Sequence, residues 1–182
     1  METIKEKISK AFEALKESQG YTNVMQAPRL VKVVVSAGVG KKRDKKQLEL
    51  ISDRLAQITG QKASVRPAKV SVAGFKLREG ETVGFQITLR GQRMNDFLEK
   101  LIHIALPRTK DFRGISIDSA DEMGNYTFGI KEHTIFPETA DEEIKDIFSL
   151  AVTLVTTAKT KPEVQAFLKH LGMPFREPEA KK

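Results

Sequence analysis

Five cations, Lys62, Arg66, Lys69, Lys76 and Arg78, fall within residues 62–78, a stretch that contains no acid. A second cluster, Lys41, Lys42, Arg43, Lys45 and Lys46, encloses only Asp44, and Arg90, Arg93, Arg108, Lys110 and Arg113 continue the series. Cations grouped in loops and at strand ends suit a polyanion, because each ammonium or guanidinium can reach and fix a phosphate. Phe75 stands among them, between Gly74 and Lys76. A ring at such a loop is a candidate for stacking or wedging against unstacked bases and ribose edges. The competing reading buries it against the protein's own sheet.

Other chemistries lack their residues. SAGVGKKRDKK, residues 36–46, resembles a phosphate loop only superficially: Gly38 and Gly40 are two apart and Lys41 is followed by Lys42, whereas a P-loop needs wider glycine spacing and a Lys-Ser/Thr pair. His103, His133 and His170 are scattered and show no metal-ligand spacing. The acidic turn DSADEMGN, residues 118–125, lacks the alternating Asp/Asn and later Glu of a calcium loop. Ser71 and Ser149 lie outside nucleophile elbows. An enzyme is therefore the weaker class.

The chain as a whole agrees with a polyanion binder. It has 182 residues, a net charge of +7 and no cysteine. Residues 1–113 hold 23 Lys/Arg against 12 Asp/Glu, while residues 114–182 hold 8 against 12, so the positive charge is concentrated in one part. A basic solvated surface is the bland alternative. The absence of cysteine excludes disulfides and fits a reducing compartment. METIKEKISKAF has no apolar core of a secretory signal, and no apolar run approaches the roughly 20 residues of a membrane helix, so a cytoplasmic location is expected.

These residues must be held by elements that the patterning predicts. A first helix carries Ile4, Ile8, Phe12 and Leu15, with capping-box spacing at Thr3 and Glu6 and a stop at Gly20. A β-branched strand follows at 30–40, then a second helix with the stripe Leu48, Ile51, Leu55 and Ile58, closed by Gly60. A hairpin is predicted over about 69–75 and 83–90. A third helix faces Met94, Phe97, Leu98, Leu101, Ile102 and Ala105 inward and ends at Pro107. Short strands are predicted at 115–118 and 125–131, an acidic link at 136–148, and a further strand at 150–158. The last helix starts at Thr160, with capping-box spacing to Glu163, and buries Val164, Phe167, Leu168 and Leu171 before Gly172. The sum predicts an α+β fold: about five largely antiparallel strands, helices on one face and the other face open. One domain is expected over 1–176, with an N-terminal part of about 1–80, a C-terminal part of about 81–176 and a mobile tail at 177–182.

With the motifs in view, the chain resembles a known family. YTNVMQAPRL, ITGQK, AKVSVAGFKLREG, ITLRGQRM, LPRTKDFRGI, GNYTFGIKEHTIFPE, VTTAK and the terminal MPFR are similar, in order from Tyr21 to Arg176, to bacterial large-subunit ribosomal protein five. The resemblance implies a structural protein of the ribosomal central protuberance that binds 5S ribosomal RNA on the open face of its sheet. It implies no enzyme activity and no cofactor. The implied partners are 5S RNA, the peptidyl-site tRNA, 23S ribosomal RNA with neighbouring central-protuberance proteins, and small-subunit ribosomal protein thirteen across an intersubunit bridge.

Carried onto this sequence, the 5S RNA residues are Asn23, Gln26, Arg29, Ser36, Gln61, Lys62, Arg66, Lys69, Ser71, Thr88 and Arg90. Gly74, Phe75, Lys76 and Arg78 belong to a tRNA-facing loop over about 71–82. The acidic run Glu138–Asp146 is a bridge candidate, with a solvated surface as the equal alternative. Departures from the family pattern are Ser36 in place of Asn, Val70 in place of a second basic residue, and Asp121-Glu122-Met123 before GNY where many relatives have a basic residue. Ser36 has the shorter reach and no amide, and Val70 removes one phosphate contact. Two competing functions are a free-standing RNA chaperone or regulator on the same platform, and a phosphoester or nucleotide enzyme in the basic clefts.

Overall fold

Four α-helices form where the apolar stripes predict them. The computed structural model describes residues 3–40, 44–110, 112–140 and 146–176. Lys41, Lys42 and Arg43 of the second basic cluster, most of the acidic run before Asp146, and the 177–182 tail lie outside the described residues.

Helix α1 spans Ile4–Gln19. Its capping box is complete: the Thr3 hydroxyl accepts from the Glu6 backbone N–H at 3.3 Å, and the Thr3 N–H donates to the Glu6 carboxylate at 3.1 Å. Gly20, at φ 69°, ends the helix in the left-handed conformation that a side chain would resist. Helices α2 (Lys45–Thr59) and α3 (Gly91–Lys100) bury the expected stripes, although Leu48 is only half-buried, as are Ile8 and Phe12 of α1. Beyond Lys100 the chain widens into a π-helical turn, Leu101–Ala105, in which the Leu106 N–H reaches back to the Leu101 carbonyl at 2.9 Å. Helix α4 (Lys161–Leu171) buries Val164, Phe167, Leu168 and Leu171.

The capping box predicted for α4 does not form. Thr160 makes no side-chain cap bond. Glu163 instead accepts from the Lys159 N–H at 2.7 Å and from the Tyr21 hydroxyl at 2.5 Å, so a distant tyrosine takes the carboxylate.

The sheet has five strands: β1 (Leu30–Gly38), β2 (Ser64–Pro67), β3 (Thr82–Leu89), β4 (Asn125–Ile130) and β5 (Leu150–Thr156). Their order is β2-β3-β1-β5-β4, and the sheet is antiparallel and open. The inner strands and β4 alternate along most of their length. Val33, Val35 and Ala37 of β1, Phe85, Ile87 and Leu89 of β3, and Tyr126, Phe128 and Ile130 of β4 are buried, while their neighbours point the other way. A fully buried Leu or Phe of such a face stabilises the fold by about 2 kcal/mol.

Two predicted strands are corrected. The first hairpin strand is Ser64–Pro67 rather than 69–75; it pairs antiparallel with β3, Ser64 opposite Gln86 and Arg66 opposite Gly84, and the register breaks between Arg66 and Pro67. Proline has no N–H to continue the ladder. The strand predicted at 115–118 is replaced by a single parallel bridge, Ile115 to Phe175, and a short 3-10 turn at Ile117–Ser119.

The chain packs as two compact units, each assembled from separate segments. The first comprises Met1–Val33, Arg90–Phe128 and Thr153–Lys182. Here α1 packs on α3 and α4. Tyr126, fully buried, donates its hydroxyl to the Ser116 carbonyl at 2.7 Å and meets Phe175 edge-on at 5.6 Å. Gly124, at φ 77°, accepts from the buried Thr156 hydroxyl at 2.6 Å, and a Cβ at this position would overlap the Ala158 carbonyl.

The second unit comprises Val34–Leu89 and Gly129–Val152, with α2 packed on β3 and on the turn Pro137–Thr139. Buried His133 stacks on Phe148 at 4.0 Å, and its Nδ1 accepts the Phe148 N–H at 3.3 Å. Among the described residues, no group of three or more His, Asp or Glu is placed to hold a metal.

Candidate nucleic-acid interface

The second unit carries most of the predicted residues. Because directly paired residues share a face, the β2–β3 register sets Ser64 and Arg66 on the side of Gly84 and Gln86. Thr88 follows on the same side by alternation, as does Ser36 on the neighbouring strand β1. That side is opposite the buried Val35, Phe85 and Ile87. Thr88 and Arg66 are exposed, and Ser36 and Gln86 are half-buried. The side chains are short or polar, and β1 and β3 approach closely: a Cβ on Gly84 would stand 2.7 Å from the Ala37 carbonyl oxygen. A surface of this kind admits a sugar–phosphate backbone and offers hydroxyl and amide partners for ribose and base edges.

Gln86 was not among the sequence candidates. Its signal was the period-2 phase it shares with Thr88. Gln61 follows the αL cap of α2 at Gly60 (φ 68°), half-buried, while Lys62 is exposed.

Between β2 and β3 the chain leaves the sheet as an arm. Its neck is closed by two backbone bonds, Ala68 N–H to the Glu81 carbonyl at 2.8 Å and Gly80 N–H to the Ala68 carbonyl at 3.0 Å. Lys69, exposed, stands at this neck. Further out, Val72 and Leu77 form an isolated antiparallel bridge around a 3-10 turn at Ala73–Phe75. The Ser71 hydroxyl accepts the Glu79 N–H at 2.9 Å, so that oxygen braces the arm.

Phe75 at the tip is 77% exposed, which decides against burial on the protein's own sheet. Lys76 follows at φ 50°, the only non-glycine with positive φ among the described residues. Such a conformation is uncommon for lysine and is held by the Lys76 N–H to Ala73 carbonyl bond at 2.9 Å. Gly74, Lys76 and Arg78 are all exposed around the ring. Val70 and Val72, within the segment predicted as the first hairpin strand, are 67% and 39% exposed on the same arm.

The first unit holds Asn23, Gln26, Arg29 and Arg90. Asn23 and Gln26 form a capping box on the N-terminal end of one 3-10 turn, Val24–Gln26. The Asn23 side-chain oxygen accepts the Met25 N–H at 3.0 Å; the Gln26 side-chain oxygen accepts the Thr22 and Asn23 N–H groups at 2.9 and 3.3 Å. Arg29 is exposed, and its guanidinium lies 3.1 Å from the Met25 sulfur. Two backbone-level bonds anchor it: its N–H donates to the Thr157 hydroxyl at 2.9 Å, and its carbonyl accepts the Thr157 N–H at 3.0 Å. Arg90 is exposed at the start of α3. Of the bridge candidate, Glu138 is exposed, with the run beyond Ala140 outside the described residues until Asp146.

Burial and hydrogen bonding shift the titration of two tyrosines and one carboxylate. Burial, with the hydrogen bond and charge of Glu163 added, pushes the Tyr21 hydroxyl well above the usual tyrosine range. Burial alone does the same for Tyr126. In the acidic turn, partial burial pulls Asp121 upward, but hydrogen bonds from Asn125 and the Met123 backbone outweigh it and hold the carboxyl below its ordinary value. That turn is thus tied internally by its own acid.

Residues 23–78 match the family model for ribosomal protein L5, and residues 82–175 match the model for the C-terminus of the same ribosomal family. The large ribosomal subunit protein uL5 of Geobacter sulfurreducens is 49% identical over 165 residues, covering 90% of this chain and 92% of its own. That of Rubrobacter xylanophilus is 50% identical over 164 residues, covering 90% and 91%. That of Heliobacterium modesticaldum is 49% identical over 178 residues, covering 97% and 99%. Identity of this order along nearly the whole length, over both family models, means that the chain belongs to the L5 family of ribosomal proteins.

Proposed function

We propose that this protein is a structural constituent of the large ribosomal subunit that binds 5S ribosomal RNA in the central protuberance. The arm over 71–82 contacts the peptidyl-site tRNA, and the protein contributes to an intersubunit bridge with small-subunit ribosomal protein thirteen. The observation that carries the reading is the side of β1 and β3 opposite their buried residues, where Ser36, Gln86 and Thr88 lie beside Arg66 of β2. Hydroxyls and amides recognise ribose and base edges, while the cations set phosphate register. No step of covalent chemistry is called for, and the role is one of architecture.

A filter-binding titration against 5S RNA tests it. With about six phosphates neutralised, affinity falls roughly a thousandfold between about 50 and 200 mM salt. A flat salt response, or equal affinity for tRNA and 5S RNA, refutes the proposal.

A further inference from the structure

The arm between β2 and β3 is fastened at its neck and near its tip. At the neck, Ala68 donates to Glu81 and accepts from Gly80. Near the tip, Val72 and Leu77 bond each other in both directions, at 3.0 and 3.2 Å. Ser71 supplies a rung between these levels, its hydroxyl accepting the Glu79 N–H at 2.9 Å. That bond acts directly beside Arg78, whose own carbonyl accepts the Glu81 N–H at 3.2 Å. The backbone is thus held on both sides of this cation. On the other strand of the arm, the Phe75 N–H donates to the Val72 carbonyl at 3.2 Å, so the orientation of the exposed ring is handed on from the residue that follows Ser71.

Burial does little to order this segment. Residues 69–76 and 78–80 are exposed, and Leu77 is half-buried. Where packing is thin, local opening is governed by the hydrogen bonds. An arm ordered before it meets its partner loses less conformational freedom on contact, and binds more tightly for that reason. The group that the rung needs is a short side chain with an acceptor oxygen, which alanine lacks and threonine keeps.

We propose that Ser71 is a positioning residue for the tRNA contact of the arm, ordering Phe75 and Arg78, and that it makes no contribution to 5S RNA affinity. The inference rests on the tRNA-facing role proposed above. It moves Ser71 out of the 5S set in which the family resemblance placed it.

The test uses the full-length protein, with amide exchange read by NMR, filter binding to 5S RNA, and retention of peptidyl-site tRNA on ribosomes reconstituted with each variant. Ser71→Ala speeds exchange at Glu79, Leu77 and Phe75 by about fivefold, the effect of losing one modest hydrogen bond, while the amides of β3 keep their wild-type rates. It weakens tRNA retention by about fivefold, since the arm is then ordered only on contact. It leaves 5S RNA affinity within about twofold, as a substitution away from that contact does. Ser71→Thr restores both exchange and retention. Unchanged exchange at Glu79 overturns the rung. A fivefold or greater loss of 5S affinity, roughly 1 kcal/mol, overturns the reassignment. Faster exchange with full tRNA retention, where Phe75→Ala does lower retention, overturns the positioning role alone. If Phe75→Ala also leaves retention unchanged, the tRNA reading of the arm fails and the positioning role fails with it.

Discussion

Replacing Phe75 with alanine removes a ring that is 77% exposed at the tip of the arm. A phenylalanine side chain carries on the order of 200 Å² of surface, so about 50 Å² of it is covered in the free protein. At about 25 cal/mol per Å², the substitution costs about 1 kcal/mol, and less if the arm relaxes. For a chain of this length that lowers the thermal midpoint by about 2–4 °C. The same substitution at Phe97, which is 3% exposed, costs about 3–5 kcal/mol. The two variants, compared by urea unfolding, form an internal scale. Phe75→Ala is expected to leave 5S RNA affinity within about twofold, and to weaken retention of peptidyl-site tRNA on reconstituted ribosomes by about tenfold, the loss of one stacked base. A stability loss above about 2 kcal/mol contradicts the exposed geometry. Unchanged tRNA retention contradicts the role proposed for the arm.

Gly124→Ala combines a left-handed backbone with overlap on the Ala158 carbonyl, so a loss of about 3 kcal/mol is expected in the same urea assay. Lys69→Ala weakens 5S binding and reduces the salt slope by about one unit in filter binding, with no change in melting. The Tyr21 and Tyr126 hydroxyls titrate above their ordinary value of 10.0 in the folded chain. Their stabilisation is therefore complete below about pH 10 and is lost as pH rises beyond it. Tyr21→Phe flattens that alkaline decline, measured as unfolding free energy between about pH 8 and 11, and an unaltered decline counts against the Tyr21–Glu163 tie.

What could be read in advance followed the range of the interactions. The stripes of α3 and α4 and the Thr3–Glu6 cap are set by neighbours three or four residues apart, and they stand where the spacing places them. Thr160 and Glu163 have the same spacing as Thr3 and Glu6, yet Tyr21 claims the carboxylate from 142 positions away. Strand β2 left no trace because all four of its residues are exposed and an edge strand of this kind has no buried face to impose alternation. Val70 and Val72 alternated without being in the sheet. In the candidate interface, cations were visible by type, since charge in a loop faces solvent in almost any fold. The side-chain amides of Asn23 and Gln26 were equally visible by type, but their partners are backbone groups of a turn that only the folded chain reveals.

The edge strand β2 also bears on the life of the protein before it is incorporated into a ribosome. An open sheet with an unpaired border can recruit the border of another copy. Here that border is four residues long, bears Arg66, ends its ladder at Pro67 and gives way at once to the arm. A second copy finds too few donors to extend the sheet and a charge that repels its own counterpart. The residue that the proposed function assigns to RNA also puts a charge on this border, so exchanging Arg66 for an apolar residue is expected to lower solubility as well as affinity.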